Sequence, residues 1–160
     1  MAGYSGTPLI RKIGIKPGHR VHFHSHPQSF VRDLGELPEK ASVEEELAAG
    51  ADVMVAFVET QAELLKQFMR LSSKLARDGM LWIAWPKRAS GRKTDLTEDV
   101  VRTVGLKAGL VDVKVCAIDD VWSGLKFVVR LIDRPKKDRS GRERPLVAKE
   151  KKSASLRAAR

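Results

Sequence analysis

Two short apolar runs, separated by an amphipathic segment, constrain the fold of this chain more than any other feature. Residues 53–58 and 80–85 are continuously apolar and rich in β-branched or aromatic side chains. Runs of this kind are typical of strands buried on both faces. Between them, Thr60 and Glu63 form a capping-box pattern that opens a predicted helix over 61–77. Its apolar stripe consists of Leu64, Phe68, Leu71 and Leu75.

A second unit of the same kind follows. Leu96, Val100 and Val104 lie on one side of a predicted helix over 95–107. The segments 110–118 and 122–131 then read as strands, and the turn between them is so short that they can pair only antiparallel.

The first fifty residues predict further elements. A short helix near 9–13 precedes a strand over 20–24, and Ser42 with Glu45 forms a second capping box, opening a helix that stops at Gly50. The order is α-β-α-α-β-α-β-α-β-β. It predicts an α/β fold of the three-layer, Rossmann-like kind, with a mainly parallel sheet of about five strands that ends in an antiparallel hairpin.

The charge of the chain is concentrated near its C-terminus. The formal net charge is +10, and residues 133–160, with eleven basic and four acidic side chains, carry +7 of it. That segment has no aromatic residue and few apolar ones, so burial cannot offset the entropy of ordering it. We therefore predict a Rossmann-like domain over 1–132 and a basic, disordered tail over 133–160.

Composition excludes several classes of protein. The longest apolar runs have six residues, whereas a membrane-spanning helix needs about 20. No secretory signal is visible at the N-terminus, so we expect a cytoplasmic protein without membrane contact. A single cysteine, Cys116, excludes an internal disulfide framework and a cysteine-based zinc finger.

The lead-in at 13–21 and the antiparallel end of the sheet resemble the class I methyltransferase fold. Those enzymes follow their first strand with an acidic residue and a Gly-x-Gly-x-Gly loop that approaches S-adenosylmethionine. Here the corresponding positions hold Phe23, Ser25, His26 and Pro27. S-adenosylmethionine is therefore not expected as a cofactor, no other cofactor is predicted, and a divergent methyltransferase is the enzyme alternative.

Several longer blocks carry a closer resemblance. They lie at 1–9, 80–87, 94–102, 109–119 and 122–126. Together they are similar to a bacterial family of uncharacterised proteins, the domain of unknown function 3052. That resemblance implies a fold but no activity and no catalytic residues.

In open α/β sheets, ligands bind at the carboxyl ends of the strands. Here that edge holds the loop 87–94, in which four cations and a glycine precede a predicted helix. Amide donors, the helix dipole and fixed cations suit a small anionic ligand, with Lys87 and Ser90 as its binding residues. Trp122 and Asp119 lie at the same edge and complete the candidate site. The alternative is a solvated loop in which Thr94 or Asp95 caps the helix.

All four histidines fall within eight residues, at 19, 22, 24 and 26. On an extended strand, His22, His24 and His26 share one face, about 6.5–7 Å apart, too far for three rings to reach one ion at about 2.1 Å. We therefore expect no functional metal site. Trp82 and Trp85 belong to a buried strand pattern and are expected in the core.

The tail predicts a different kind of partner. Its cations suit non-specific nucleic-acid binding through phosphates, without recognition of base sequence. The residues concerned are Lys136, Lys137, Arg139, Arg142 and Arg144. A solubilising extension without a partner is the alternative. The sequence thus favours a noncatalytic binding or regulatory module, or else a nucleic-acid-associated protein, and it does not indicate an oligomeric state.

Overall fold

Residues 7–130 are described by a computed structural model of the chain. Their helices are α1 (Leu9–Ile13), α2 (Gln28–Leu34), α3 (Gln61–Ser72) and α4 (Glu98–Lys107), with a short 3-10 turn at Arg88–Ser90. Their strands are β1 (Arg20–His24), β2 (Ser42–Val43), β3 (Ala51–Phe57), β4 (Leu75–Pro86), β5 (Leu110–Ala117) and β6 (Trp122–Val129). The predicted tail lies outside the described residues.

The strands form one mainly parallel sheet in the order β2-β1-β3-β4-β6-β5. β2, β1, β3 and β4 are parallel to one another. β6 lies between β4 and β5 and runs antiparallel to both. The predicted α/β class and the antiparallel hairpin at the end of the sheet are confirmed. The sheet has six strands rather than about five because β2 was not foreseen.

Helices cover both faces of the sheet, which gives the predicted three layers. One core packs α3 and α4 against strand residues such as Met54 and Ile83. The other packs α1 and α2 against Val55 and Trp82. Side chains of β3 and β4 alternate between the two cores, so both strands are continuously apolar. No helix within residues 7–130 is both long and apolar enough to cross a membrane.

The predicted helix between Ser42 and Gly50 is wrong. Ser42–Val43 instead pairs with β1, and the amide of Glu44 donates to the carbonyl of Val21 at 2.7 Å. The Arg20 guanidinium binds both carboxylate oxygens of Glu44 at 2.8 and 3.0 Å. Pairing with a neighbouring strand therefore overrides the local capping pattern, which cannot be read from the segment itself.

The starts of the two long helices are capped by threonine. Thr60 Oγ1 accepts a hydrogen bond from the Glu63 amide at 3.1 Å, so the predicted start of α3 is confirmed. Its predicted end is wrong, because α3 stops at Ser72 and β4 begins at Leu75. α4 starts at Glu98, after the cap Thr97, so the predicted caps Thr94 and Asp95 are wrong.

Candidate functional site

The carboxyl ends of β1, β3 and β4 lie at one edge of the sheet, as predicted. From β1 the chain continues to β2 on one side of the sheet, and from β3 it continues to β4 on the other side. The direction in which strands are added therefore reverses between β1 and β3. Such a reversal is where α/β folds usually bind ligands. Because Pro86 pairs with Trp122, the turn before β6 lies at the same edge.

Aromatic rings fill the interior next to this reversal. Phe30 packs edge to face on Phe57, and Phe57 on Trp122, each with ring centroids 5.0 Å apart. Phe23 and His26 extend the row on the other side of Phe30. Phe30, Phe57 and Trp122 are at most 6% exposed. These three rings are therefore part of the core and offer no face for a planar ligand to stack on, whereas His26 is exposed.

Arg92 closes this row at the surface. Its guanidinium lies 5.3 Å from the centroid of the Trp122 ring, and its Nη1 donates to Glu59 Oε2 at 2.6 Å. Thr94 Oγ1 donates to the Glu59 carbonyl at 2.6 Å. These contacts tie the loop after β4 to the end of β3. The Glu59 carboxylate also offsets part of the Arg92 charge, so Arg92 attracts an anion less than a cation without such a partner would.

A cavity of about 430 Å³ opens beside this loop. Its charged lining consists of three cations, Lys87, Arg88 and Arg92, and two carboxylates, Asp95 and Glu98. The Lys87 amide donates to the Val121 carbonyl at 2.7 Å, which fixes the backbone next to β6. Among residues 7–130, no carboxylate lies within 4.0 Å of the Lys87 or Arg88 side-chain nitrogens. Both cations are therefore unneutralised at the cavity.

The four residues expected to bind an anion lie close together, and the structure gives them different roles. Lys87 lines the cavity. Ser90 Oγ donates to the Lys87 carbonyl at 2.7 Å and accepts from the Arg92 amide, so it shapes the turn. Asp119 Oδ1 accepts from the amides of Val121 and Trp122, both at 2.8 Å, and Trp122 is buried beneath Arg92.

The start of α4 does not supply the expected attraction for anions. Its first turn carries Glu98 and Asp99, whose charges already compensate the positive end of the helix dipole. Arg102 in turn binds both carboxylates. Arg88 also lines the cavity, although it was predicted only as one of four cations in the loop and not as a binding residue. The available signal was that it and Lys87 directly follow a buried strand.

Three groups suited to acid or nucleophilic chemistry at this edge are engaged or neutral, whereas Asp120 is exposed. Glu59 is paired with Arg92, and Asp119 holds two amides. Burial raises the pKa of the Cys116 thiol, which disfavours the reactive thiolate. Within the described part of the chain, no group of three or more His, Cys, Asp or Glu residues is arranged to hold a metal ion.

The histidines do not share one face. β1 ends at His24, and His26 turns to the opposite side of the sheet, where its ring packs on Phe23 and Phe30. His22 is buried, with Nδ1 2.9 Å from the Glu44 carbonyl. Burial, and next the charge of Arg70, lower the pKa of His24. Trp82 and Trp85 lie in the core as expected.

The cations proposed to contact nucleic acid, Lys136, Lys137, Arg139, Arg142 and Arg144, lie outside the described residues.

Comparison with protein families gives one match. The model of a family described as "Protein of unknown function (DUF3052)" matches residues 12–131. No curated protein sequence matches this chain.

Several solved structures share the fold at low sequence identity. A SAM dependent methyltransferase from Aquifex aeolicus is 13% identical, with a TM-score of 0.51, over 76% of this chain and 88% of that protein. Magnesium protoporphyrin IX methyltransferase from Synechocystis PCC 6803, with bound SAH, is 11% identical, with a TM-score of 0.51, over 76% and 78%. The ribosomal protein L11 methylase from Lactobacillus delbrueckii subsp. bulgaricus is 12% identical, with a TM-score of 0.53, over 76% and 75%. At such identities the likeness shows a methyltransferase-like Rossmann fold and no activity.

Proposed function

The chain belongs to the DUF3052 family, and we propose that it is a noncatalytic module that binds a small anion at the carboxyl edge of its sheet. The observation that carries this proposal is the pair of unneutralised cations, Lys87 and Arg88, at a cavity of about 430 Å³. A phosphate or carboxylate group matches them, because the guanidinium can bind two oxygens at once and the ammonium adds a point charge.

The charges around the cavity restrict where the anion sits. Asp95 and Glu98 also line it, so an anion is favoured in direct contact with Lys87 and Arg88 rather than throughout the cavity. Arg88 is exposed and Lys87 partly so, and salt therefore weakens both attractions. A compact anion of one or two charges fits this arrangement better than a polyphosphate, which would extend toward the carboxylates.

We propose a noncatalytic role because the side chains best suited to catalysis at this edge already have partners within the fold or are favoured in the neutral form. Glu59 and Asp119 have hydrogen-bond partners that belong to the fold itself, and the Cys116 thiol is favoured in its neutral form. A general base or nucleophile needs a free, correctly poised group within reach of the ligand.

Calorimetry on the full chain with inorganic phosphate, acetate and pyrophosphate tests the anion site. Replacing both cations (Lys87→Ala with Arg88→Ala) is expected to weaken binding by about tenfold or more, since a charged hydrogen bond contributes about 1.5–3 kcal/mol. The control replaces two exposed cations elsewhere, Lys66→Ala with Lys74→Ala, and should leave affinity unchanged. Ser90→Ala should weaken binding less than the double variant, because Ser90 shapes the turn. Equal affinity of the wild type and the Lys87/Arg88 variant would contradict the proposal.

The same titration with S-adenosylmethionine separates this proposal from a divergent methyltransferase. We propose that the chain does not bind this cofactor. The loop after β1 holds Ser25, His26 and Pro27 where a glycine loop is needed, and the rings of Phe30 and Phe57 fill the adjoining core. Saturable binding of S-adenosylmethionine would overturn this and favour the methyltransferase alternative.

A further inference from the structure

We propose a second ligand site, on the face of β1 that looks toward α3, for a small zwitterion of the amino-acid class. A cavity of about 480 Å³ lies there, and it shares no lining residue with the cavity at Lys87 and Arg88. Its polar lining brings together His22, His24, Glu45, Glu46 and Arg70. These residues come from β1, from the segment after β2 and from α3.

The cavity exists because this face of β1 has no helix of its own. On the opposite face, Val21 and Phe23 pack against α2 through Phe30 and Leu34. On the cavity side, residues 44–50 cross from β2 to β3 without forming a helix. Polar side chains of β1 therefore face an open space instead of a packed layer.

His22 supplies a buried hydrogen-bond acceptor. The side chain is only 5% exposed, and its Nδ1 lies 2.9 Å from the Glu44 carbonyl oxygen. Because a carbonyl oxygen can only accept, Nδ1 carries the hydrogen, and in the neutral ring Nε2 presents a lone pair. No residue in the range 7–130 donates to Nε2. Buried polar atoms are rarely left unpaired, so Nε2 is an acceptor for a donor from outside the chain, and a donor group of a ligand can occupy this position.

The charged groups around His22 set the chemistry of that ligand. Glu45 and Glu46 offer carboxylates, and Arg70 offers a guanidinium whose Nη1 also donates to Gln67 at 3.0 Å. The field of Arg70 reaches the cavity, since it contributes to the lowered pKa of His24. An ammonium group can donate to Nε2 of His22 and to a glutamate, while a carboxylate pairs with Arg70.

Ligands with only one of these charges fit less well. A simple amine or a metal cation leaves Arg70 without a partner, and a simple carboxylate is repelled by Glu45 and Glu46. A zwitterion satisfies both signs at once.

The test is a titration of the full chain with each of the twenty free amino acids, with ethylamine and acetate as single-charge probes. Binding is followed by the imidazole ¹⁵N resonances of His22, which report the proton on Nδ1 and any donor at Nε2. At least one amino acid is expected to bind saturably and to shift the Nε2 resonance. Ethylamine and acetate should each bind about tenfold more weakly or not at all.

Two variants assign the contacts. His22→Asn keeps a donor near the position of Nδ1 and removes the acceptor at Nε2, so it should weaken binding by about tenfold. Arg70→Gln should do the same, while Lys66→Gln, an exposed cation on the same helix, should not. The proposal is overturned if no amino acid binds, if a single-charge probe binds equally well, or if both variants keep wild-type affinity. Because Lys87→Ala with Arg88→Ala leaves this cavity intact, its effect on anion binding can be judged separately.

Discussion

Burial disfavours the charged form of several ionisable side chains in this fold, among them His24 and Cys116. His24 and Cys116 are both partly buried, and desolvation is the largest cause of the shift in each. Because burial penalises charge, it lowers the pKa of His24 and raises the pKa of Cys116. For Cys116 this means that the thiolate is disfavoured. For His24 it means that stability depends on pH.

We expect acidification to destabilise the protein through His24. Its pKa is lower in the folded chain than in the unfolded chain, where histidine titrates near about 6.5. The unfolded chain therefore binds more protons once the pH falls below that value, and the free energy of unfolding decreases until the pH reaches the lower pKa of the folded state. Urea unfolding across this range should show a smaller decrease for His24→Gln than for the wild type.

His26→Gln serves as the control for that measurement, because His26 is exposed and lies on the other side of the sheet. Its pH dependence should equal that of the wild type. If His24→Gln and the wild type lose the same stability on acidification, the coupling of His24 to folding is absent.

Packing between α4 and the sheet depends on one glycine. A Cβ atom added at Gly105 would lie 2.5 Å from Cζ of Phe127, whose ring is fully buried against Phe68. Gly105 has no positive φ, so what it provides is the close approach of the helix to β6.

Gly105→Ala is expected to destabilise the protein although alanine is the better helix former. The helix gains about 0.8–1 kcal/mol from the substitution, but overpacking a rigid core costs about 1–3 kcal/mol or more. Chemical denaturation should therefore give a net loss, whereas Thr103→Ala on the exposed side of α4 should be neutral or stabilising. Adding Phe127→Leu should recover part of the loss. A more stable Gly105→Ala variant would show that the helix can move away from the sheet.

Elements with a periodic apolar pattern could be predicted from the sequence, and elements specified by distant partners could not. The stripe of Leu64, Phe68 and Leu71 predicted α3, and the apolar runs predicted most of β3 and the second half of β4. β2 has two exposed residues and is held through Arg20 and Glu44, which no local pattern reveals.

The same distinction applies to the candidate sites. The cluster of cations after β4 was visible in the sequence, and the pairing of Arg92 with Glu59 across 33 positions was not. The cavity at His22 was hidden as well, because Glu45 and Glu46, which line it, were predicted to lie in a helix that does not form.

At the scale of the whole molecule, the chain has a methyltransferase-like fold but lacks the glycine loop after β1. The sheet follows methyltransferase structures over 76% of the chain, yet the row from Phe30 to Trp122 packs aromatic core beside the reversal in strand order. The proposed ligand sites therefore lie beside that aromatic row, in one cavity at the end of β4 and another on the face of β1.

The uneven distribution of charge predicts an interaction of a different kind, with nucleic acid. Residues 133–160 carry +7 of the net charge of +10, which leaves +3 for the rest of the chain. We expect the full chain to bind duplex DNA weakly, without sequence preference and with an affinity that falls as salt is added, because each neutralised phosphate releases counterions.

Replacing five cations by glutamine, Lys136, Lys137, Arg139, Arg142 and Arg144, removes five of the eleven positive charges of that segment. Both the affinity and its salt dependence should then decrease, by up to about 0.9 in the slope of log affinity against log salt for each lost phosphate contact. Lys87→Ala with Arg88→Ala should leave both unchanged. An unchanged slope in the five-fold variant would assign any DNA binding to residues other than these five.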